Sequence, residues 1–274
     1  MLLIYSLKTT QRITYIFKHI CFRILGIEVN FTNVIEDFIA YSGPKLSYGK
    51  KELGNELFIQ STELLMQDGF ESIDITVKDW GDTKCFFAVG KNSALPFDIF
   101  AASFYLLSRY EEYLPQVKDE KGRFLASESI AFKAGFLQDP VVDIWAYKFK
   151  DLLLQTFPDI KYSARKPSVH TIINASQPLL YKNKGLLRTL IGFFNDLFSF
   201  NLKSIFDRSS VLFGFRKDPF NTFNWIINSV KKSKSSLTVF FLLGASKIFE
   251  ESLNSQKESF KLLIKNVSDY QEIG

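Results

Sequence analysis

The stretch HTIINASQPLLYKNKG, residues 170–185, decides the fold that we expect from the sequence. Thr171–Ala175 is predicted to be a short buried strand, followed by a polar turn and then a helix. In α/β folds, ligands bind outside the carboxyl ends of the strands, so a site here would lie at Asn174, Ser176 and Gln177. These side chains are neutral amides and a hydroxyl, where catalysis often requires carboxylates.

The order of strand and helix continues to the end of the chain. Helices are expected over Leu186–Phe200, over Phe220–Lys232 with Asp218 and Pro219 at its start, and over Glu258–Tyr270. Leu237–Leu243 is a continuous apolar strand of the kind that parallel sheets bury on both faces. Glu272–Gly274 is expected to begin another strand. This β-α-β-α-β order predicts a parallel sheet or a partial barrel.

Residues 1–160 are predicted to form an α/β domain. Strands are expected at Met1–Ser6, Ile27–Thr32, Lys45–Tyr48, Glu56–Ile59, Ile73–Val77 and Lys84–Val89. Helices are expected from a cap at Thr9 or Thr10 to Gly26, from Pro96 to Pro115 with Asp98 as its cap, and from Pro140 to Pro158. The stretch 161–168 is polar, basic and broken by proline, so we predict domains at 1–160 and 168–274.

A polar cluster interrupts the helix that begins after Pro96. The sequence SRYEEY at residues 108–113 places Arg109, Glu111 and Glu112 near its end, and Asp143 lies in the first turn of the next helix. These four side chains are the candidate polar site of the first domain. The alternative is an exposed ion pair between Arg109 and Glu112 or Glu111.

Composition limits the classes of function. Hydrophobic residues make up 46% of the 274 residues, with 29 phenylalanines, which favours a packed globular chain. Cys21 and Cys85 lie far apart, and His19 and His170 are the two histidines, so a Cys/His zinc site is not expected. The apolar runs are about half the length of a membrane span. We expect a cytoplasmic protein with no membrane span and no nucleic-acid partner.

The net charge of +5 is unevenly distributed. Residues 1–160 carry 17 Lys and Arg against 21 Asp and Glu, which gives −4, and residues 161–274 carry 17 against 8, which gives +9. A basic half of this kind either binds an anionic partner or forms a solvated surface.

Several motifs resemble a known family. Those in the first half are LGNELFI (53–59), PFDIFAASFYLLSRYEEY (96–113), GRF (122–124) and PVVDIWA (140–146), and those in the second half are YKNKG (181–185), DPFNTF (218–223) and FFLLG (240–244). Together they resemble the front part of a polysaccharide deacetylase-family protein of the long type found in Bacteroidetes. The resemblance implies an uncharacterised N-terminal α/β domain, followed by the first part of a distorted (β/α) barrel of the deacetylase type.

The resemblance also implies a degenerate catalytic motif. In the family, two aspartates after an early strand supply a general base and a ligand for a divalent metal such as zinc, with histidines from a later motif. These acidic positions fall on Asn174 and Ser176, which are neutral and are poor replacements for carboxylates. The histidine motif would follow the strand at Glu272–Gly274, and His170 does not replace it. We therefore expect a truncated chain without a metal or other cofactor.

Three hypotheses remain open, and whether the protein is an enzyme is undecided among them. The first is a catalytically inactive relative connected with surface carbohydrate metabolism. The second is an enzyme that uses the polar cluster and a module outside this chain. The third is a non-enzymatic domain that binds a glycan or a protein, or serves as a scaffold. In an incomplete barrel, apolar side chains would stay exposed and favour self-association, or a partner would cover them. The phenylalanines concerned are Phe193, Phe194, Phe198, Phe240 and Phe241.

Overall fold

The computed structural model describes residues 1–164, 166–233, 235–243, 257–269 and 272–273. The chain divides into two compact units, residues 1–166 and 167–274. Both contain helices and parallel strands, which confirms the α/β class, while closure of a barrel remains a prediction. Within the described ranges, no helix is both long enough and apolar enough to cross a membrane.

A four-stranded parallel sheet organises the first unit. Its strands are β1 (Leu2–Tyr5), β2 (Val29–Thr32), β3 (Lys45–Gly49) and β4 (Leu57–Gln60), in the spatial order β2-β1-β3-β4. The connection from β3 to β4 consists of residues 50–56. This connection is shorter than the crossover that neighbouring parallel strands usually need. The strands β5 (Lys78–Trp80) and β6 (Thr83–Cys85) form a separate antiparallel pair.

Helices pack on both faces of this sheet. They are α1 (Gln11–Phe17), which continues as a π-helix over Lys18–Ile24, α2 (Ile35–Ala40), α3 (Ile99–Leu107), α4 (Ile130–Lys133) and α5 (Val141–Thr156), with 3₁₀ turns at Tyr110–Tyr113 and Ala126–Glu128. On one face, Ile4 joins a large core in which the rings of Phe17 and Phe100 stack with centroids 3.6 Å apart. On the other face, Leu3 packs with Phe38 of α2.

The boundaries of the first helices follow the predicted local signals. The hydroxyl of Thr10 accepts the N–H of Ile13 at 3.1 Å, and the carboxylate of Asp98 accepts the N–H of Ala101 at 3.0 Å. Gly26 follows the π-helix with a φ of +68°, as expected of a glycine stop.

The predicted strand at Ile73–Val77 is wrong, although its alternation has a structural cause. The segment pairs with no strand in the described ranges, and Ile73, Ile75 and Val77 are partly buried against the core while Asp74 and Thr76 between them are exposed. The pattern therefore indicated which side of the segment is covered, since alternate residues of any extended chain point to opposite sides.

Other expected elements are shorter in the structure. The strand expected at Lys84–Val89 ends at Cys85. The helix expected to reach Pro115 ends at Leu107, because Arg109 adopts a left-handed conformation with φ of 54° that interrupts helical hydrogen bonding. Helix α2 was not predicted.

A three-stranded parallel sheet organises the second unit. Its strands are β7 (His170–Ala175), β8 (Ser236–Phe241) and β9 (Glu272–Ile273), in that spatial order. Its helices are α6 (Leu186–Phe198), α7 (Leu202–Leu212), α8 (Phe223–Ser233) and α9 (Glu258–Ser268). Val239 of β8, Phe223 of α8 and Phe260 of α9 belong to one small core.

The expectation that β7 is a buried strand, and that β8 is buried on both faces, is wrong. Ile172 of β7 is 65% exposed and Phe240 of β8 is 45% exposed, so the described residues cover one face of the sheet. Phe241 was grouped with the exposed phenylalanines, but it is buried between the rings of Phe223 and Phe260.

Two helix boundaries in the second unit also differ from the prediction. The helix from Leu186 ends at Phe198, and Phe200, with φ of 50°, reverses the chain into α7. Helix α8 begins at Phe223, because Asp218 is used in a turn before it.

Candidate functional site

The end of β7, where the resemblance locates an acidic pair, is an open and neutral surface. Asn174 and Ser176 are both exposed. The ring nitrogens of His170 lie 2.8 Å from the hydroxyl of Thr238 and 2.9 Å from that of Ser236. Since a strand rises about 3.3 Å per residue, His170 and Asn174 stand about 13 Å apart along β7. These neutral, separated donors do not fit a divalent metal centre.

Metal-ligand residues do not cluster elsewhere in the ranges that the structure describes. No group of three or more His, Cys, Asp or Glu side chains comes together there in a way that could hold an ion.

A buried carboxylate that sequence reasoning assigned to a helix start fixes the loop after β7. Asp218 is 4% exposed, and its two oxygens accept backbone N–H groups from Leu180 at 2.8 Å, Tyr181 at 2.9 Å and Lys182 at 3.0 Å. Charge-assisted hydrogen bonds of this kind hold a loop firmly. The Asp218 carboxylate is therefore occupied by backbone donors.

The polar cluster at residues 108–113 borders an open cleft of about 450 Å³ in the first unit. We call it the Glu111 cleft. Its apolar wall includes Ile73, Ile75, Val77, Leu114 and Phe124, and its polar groups are Tyr105, Glu111, Gln116, Glu128 and Lys133. Apolar walls with a few polar groups are the usual lining of a ligand site.

Glu111 is held in place at the edge of α4. Its Oε2 accepts the N–H of Ile130 at 2.9 Å. Burial raises the pKa of the Glu111 carboxyl and the nearby Glu112 charge raises it further, against the opposing effects of the Ile130 N–H and Lys133. Burial and the charge of Glu111 also raise the pKa of the Tyr105 phenol. Both groups can therefore hold a proton more tightly than exposed groups of their kind.

Gln116 supplies an acceptor that the described part of the chain leaves unpaired. Its Nε2 donates to the carbonyl oxygen of Glu112 at 2.7 Å, while its Oε1 is buried and accepts no hydrogen bond from any residue that the structure describes. An unsatisfied buried acceptor costs about 1–3 kcal/mol, so a ligand donor that reaches this atom would bind favourably. Sequence reasoning missed Gln116, because no periodic or spacing signal marks it.

The other candidate residues do not join this site. Arg109 Nε pairs with Glu112 at the surface, so the ion pair expected as the alternative is present. Asp143 is exposed in the first turn of α5. No hydrogen bond or ion pair in the described part of the chain joins it to Arg109, Glu111 or Glu112.

The extended segment Ile73–Val77 separates the Glu111 cleft from a second cleft of about 640 Å³. Thr62 lines this second cleft and is tied to the core by Asp98. The Asp98 Oδ2 accepts the Thr62 N–H at 2.6 Å, the Thr62 hydroxyl at 2.9 Å and the Tyr48 hydroxyl at 2.8 Å. The carboxyl of Asp98 is fully buried, which raises its pKa. Through these hydrogen bonds to Thr62, Asp98 anchors the segment that runs from β4 to the linings of both clefts.

Comparison with known proteins yields one match. Residues 2–158, which are more than half of the chain, match the family model described as "Family of unknown function (DUF7033)". No curated protein and no solved structure matches the chain.

Proposed function

We propose a function for this chain, which belongs to the DUF7033 family of unknown function, from the lining of its Glu111 cleft. The chain binds a hydroxyl-rich glycan and does not catalyse a reaction on it. The observation that carries the proposal is Gln116, which lines this cleft and whose buried Oε1 has no hydrogen-bond partner among the described residues.

The chemistry of the lining suits a sugar ring. Sugar hydroxyls both donate and accept hydrogen bonds, so one can donate to Gln116 Oε1 while a neighbour meets the Glu111 carboxyl. The partly buried Ile73, Ile75 and Phe124 offer an apolar surface for the C–H face of the ring. The resemblance to carbohydrate deacetylases supports this class of ligand.

The second unit, in this proposal, is a deacetylase-like module that has lost its chemistry. The neutral Asn174 and Ser176 at the end of β7 support this, since neither side chain is a carboxylate base at neutral pH. Loss of these two positions would leave carbohydrate binding as the remaining function of the chain.

A cytoplasmic location is part of the same proposal. Cys21 and Cys85 are buried free thiols, and burial raises the pKa of both. Unpaired cysteines of this kind suit a reducing compartment.

Calorimetric titration of the 274-residue chain with oligomers of N-acetylglucosamine, and separately with their deacetylated forms, tests the binding proposal. We expect Gln116→Leu to weaken binding about tenfold or more, since one good hydrogen bond is lost. The same variant removes both the unsatisfied Oε1 and the hydrogen bond from Nε2 to the Glu112 carbonyl oxygen, so its stability should stay within about 1 kcal/mol of that of the natural chain. Gln155→Leu, at an exposed position of α5, is the matched control.

The outcomes are distinct. Absence of binding by both oligomer series, or equal binding by Gln116→Leu and Gln155→Leu, would contradict glycan binding in this cleft.

Metal titration tests the proposed loss of chemistry independently. We expect no stoichiometric binding of zinc, cobalt or nickel to the natural chain, and we expect Asn174→Asp combined with Ser176→Asp to introduce weak binding, since it restores the acidic pair that in the resembled family includes a metal ligand. Tight one-to-one binding by the natural chain would contradict the proposal.

A further inference from the structure

The apolar side of helix α6 is exposed at the surface. Seven of its large apolar side chains are at least about half exposed: Leu186, Leu187, Leu190, Ile191, Phe194, Leu197 and Phe198, from 49% to 86%. At 100° per residue these positions fall on one continuous stripe of the helix. An amphipathic helix of a globular protein normally buries this stripe, so the orientation of α6 is reversed.

The polar side of α6 is the side that packs. Arg208 of α7 donates to Asp196 Oδ2 from Nε at 3.0 Å and from Nη2 at 2.8 Å. Gly192 leaves room for this guanidinium, which a β-carbon at that position would overlap. The side chains of Arg208 and Asp196 are 13% and 17% exposed. This ion pair joins α6 to α7 on the polar side of α6, so the apolar stripe lies on the outside.

The rest of the hairpin extends this apolar surface and surrounds it with positive charge. Phe200, at the turn between the helices, is 89% exposed, and Phe206 of α7 is 63% exposed. Residues 182–217 contain seven Lys and Arg against two Asp, and those two aspartates are paired with Arg208 and Arg216. Two copies of so basic a surface repel each other, whereas an anionic surface attracts it.

We propose that the α6–α7 hairpin binds the surface of an anionic phospholipid bilayer. The exposed leucines and phenylalanines enter the boundary between head groups and acyl chains, and the basic residues contact the lipid phosphates. Long Lys and Arg side chains reach the head groups while their aliphatic parts stay with the apolar stripe. The protein therefore lies on the membrane and does not cross it.

Co-sedimentation of the whole chain with vesicles tests this inference. We expect binding to mixed phosphatidylcholine–phosphatidylglycerol vesicles, much weaker binding to pure phosphatidylcholine, and weakening of the former by salt. Leu187→Gln with Leu190→Gln should reduce the vesicle partition coefficient on the order of tenfold for each residue, since each loses most of its apolar area. Circular dichroism checks that the variant keeps its helices.

The matched control is Leu7→Gln with Ile39→Gln, two exposed apolar residues of the first unit, at 80% and 65% exposure. This control should bind vesicles as the natural chain does. Equal binding to neutral and anionic vesicles, an equal loss in the control, or concentration-dependent dimerisation without vesicle binding would each overturn the proposal, the last in favour of a second copy as the partner.

Discussion

At the scale of single residues, a buried carboxyl and a partly buried one in the first unit differ in what they do. Asp98 accepts four hydrogen bonds and is enclosed by the core, whereas Glu111 accepts one from Ile130 and borders a cleft. A fully satisfied buried group stabilises a fold, and a partly satisfied one is available to a ligand. This contrast leads to separate predictions for the two residues.

Asp98→Ala should lower the free energy of unfolding of the first unit by about 3 kcal/mol or more, because it leaves the donors of Tyr48, Thr62 and Ala101 unpaired inside the protein. Urea denaturation followed by fluorescence measures the loss. Asp151→Ala, on an exposed position of α5, should change stability by less than about 0.5 kcal/mol. Similar effects of the two substitutions would show that the Asp98 hydrogen bonds contribute little.

Glu111 should make stability depend on pH in a known direction. Burial raises its pKa in the folded state, so the folded protein binds this proton more tightly than the unfolded chain does. Its contribution to stability is therefore present below the ordinary value of about 4.3 and is lost as pH rises through the raised folded pKa. The difference in unfolding free energy between the natural chain and Glu111→Gln should shift in favour of the natural chain on acidification through that window. A difference that does not change with pH would contradict the raised pKa.

At the scale of secondary-structure elements, the sequence predicted what depends on neighbours in the chain. Asp98 was predicted as a cap, and Thr10 as one of two candidates with Thr9, from the residues beside them, and the caps at Thr10 and Asp98 are present. Gln116 and Asp218 could not be assigned in this way. The partners of Asp218 at Leu180 and Lys182 lie 38 and 36 positions away, and Gln116 matters because one of its atoms has no partner in the described part of the chain.

Amphipathic patterning has a related limit. The pattern of α6 shows that one side is apolar, but a pattern alone does not tell whether that side faces the protein or its surroundings. The contact between Arg208 and Asp196 decides the question for α6, and it joins two helices through polar groups. The alternation at Ile73–Val77 similarly identified a covered side without revealing that the segment pairs with no strand among the described residues.

The end of the π-helix offers a test of close packing between elements. Gly26 has φ of +68°, and a β-carbon there would overlap the backbone of Ser163, whose N–H donates to the Gly26 carbonyl oxygen at 2.9 Å. Gly26→Ala should cost clearly more than the roughly 1 kcal/mol expected for a left-handed alanine, because the segment after α5 must also move. Thermal unfolding measures this cost.

Gly135→Ala is the matched control for that experiment. Gly135 has a similar φ of +76°, but a β-carbon there would meet nothing within 4 Å. The difference between the two variants therefore isolates the close approach to Ser163, and equal losses would mean that backbone conformation alone matters.

At the scale of the whole molecule, the two units differ greatly in their cores. In the described residues, the first unit buries a large cluster that includes Phe17, Phe100 and Trp145, whereas the second buries a small cluster around Val239 and leaves one face of its sheet and the α6 stripe exposed. Buried apolar area is the main favourable term in folding. The second unit should therefore be the less stable of the two.

We expect the chain to unfold in urea in two steps, the second unit first. The three tryptophans are Trp80 and Trp145 in the first unit, the latter fully buried, and Trp225 in α8, which is 70% exposed. The fluorescence of the Trp225→Phe variant therefore reports only on the first unit. In this variant, part of the helical circular dichroism signal should disappear before the tryptophan fluorescence shifts, since α6 to α9 lie in the second unit. Coincident transitions by both probes would instead show that the units unfold as one, and would mean that packing between them supplies the stability which the second core lacks.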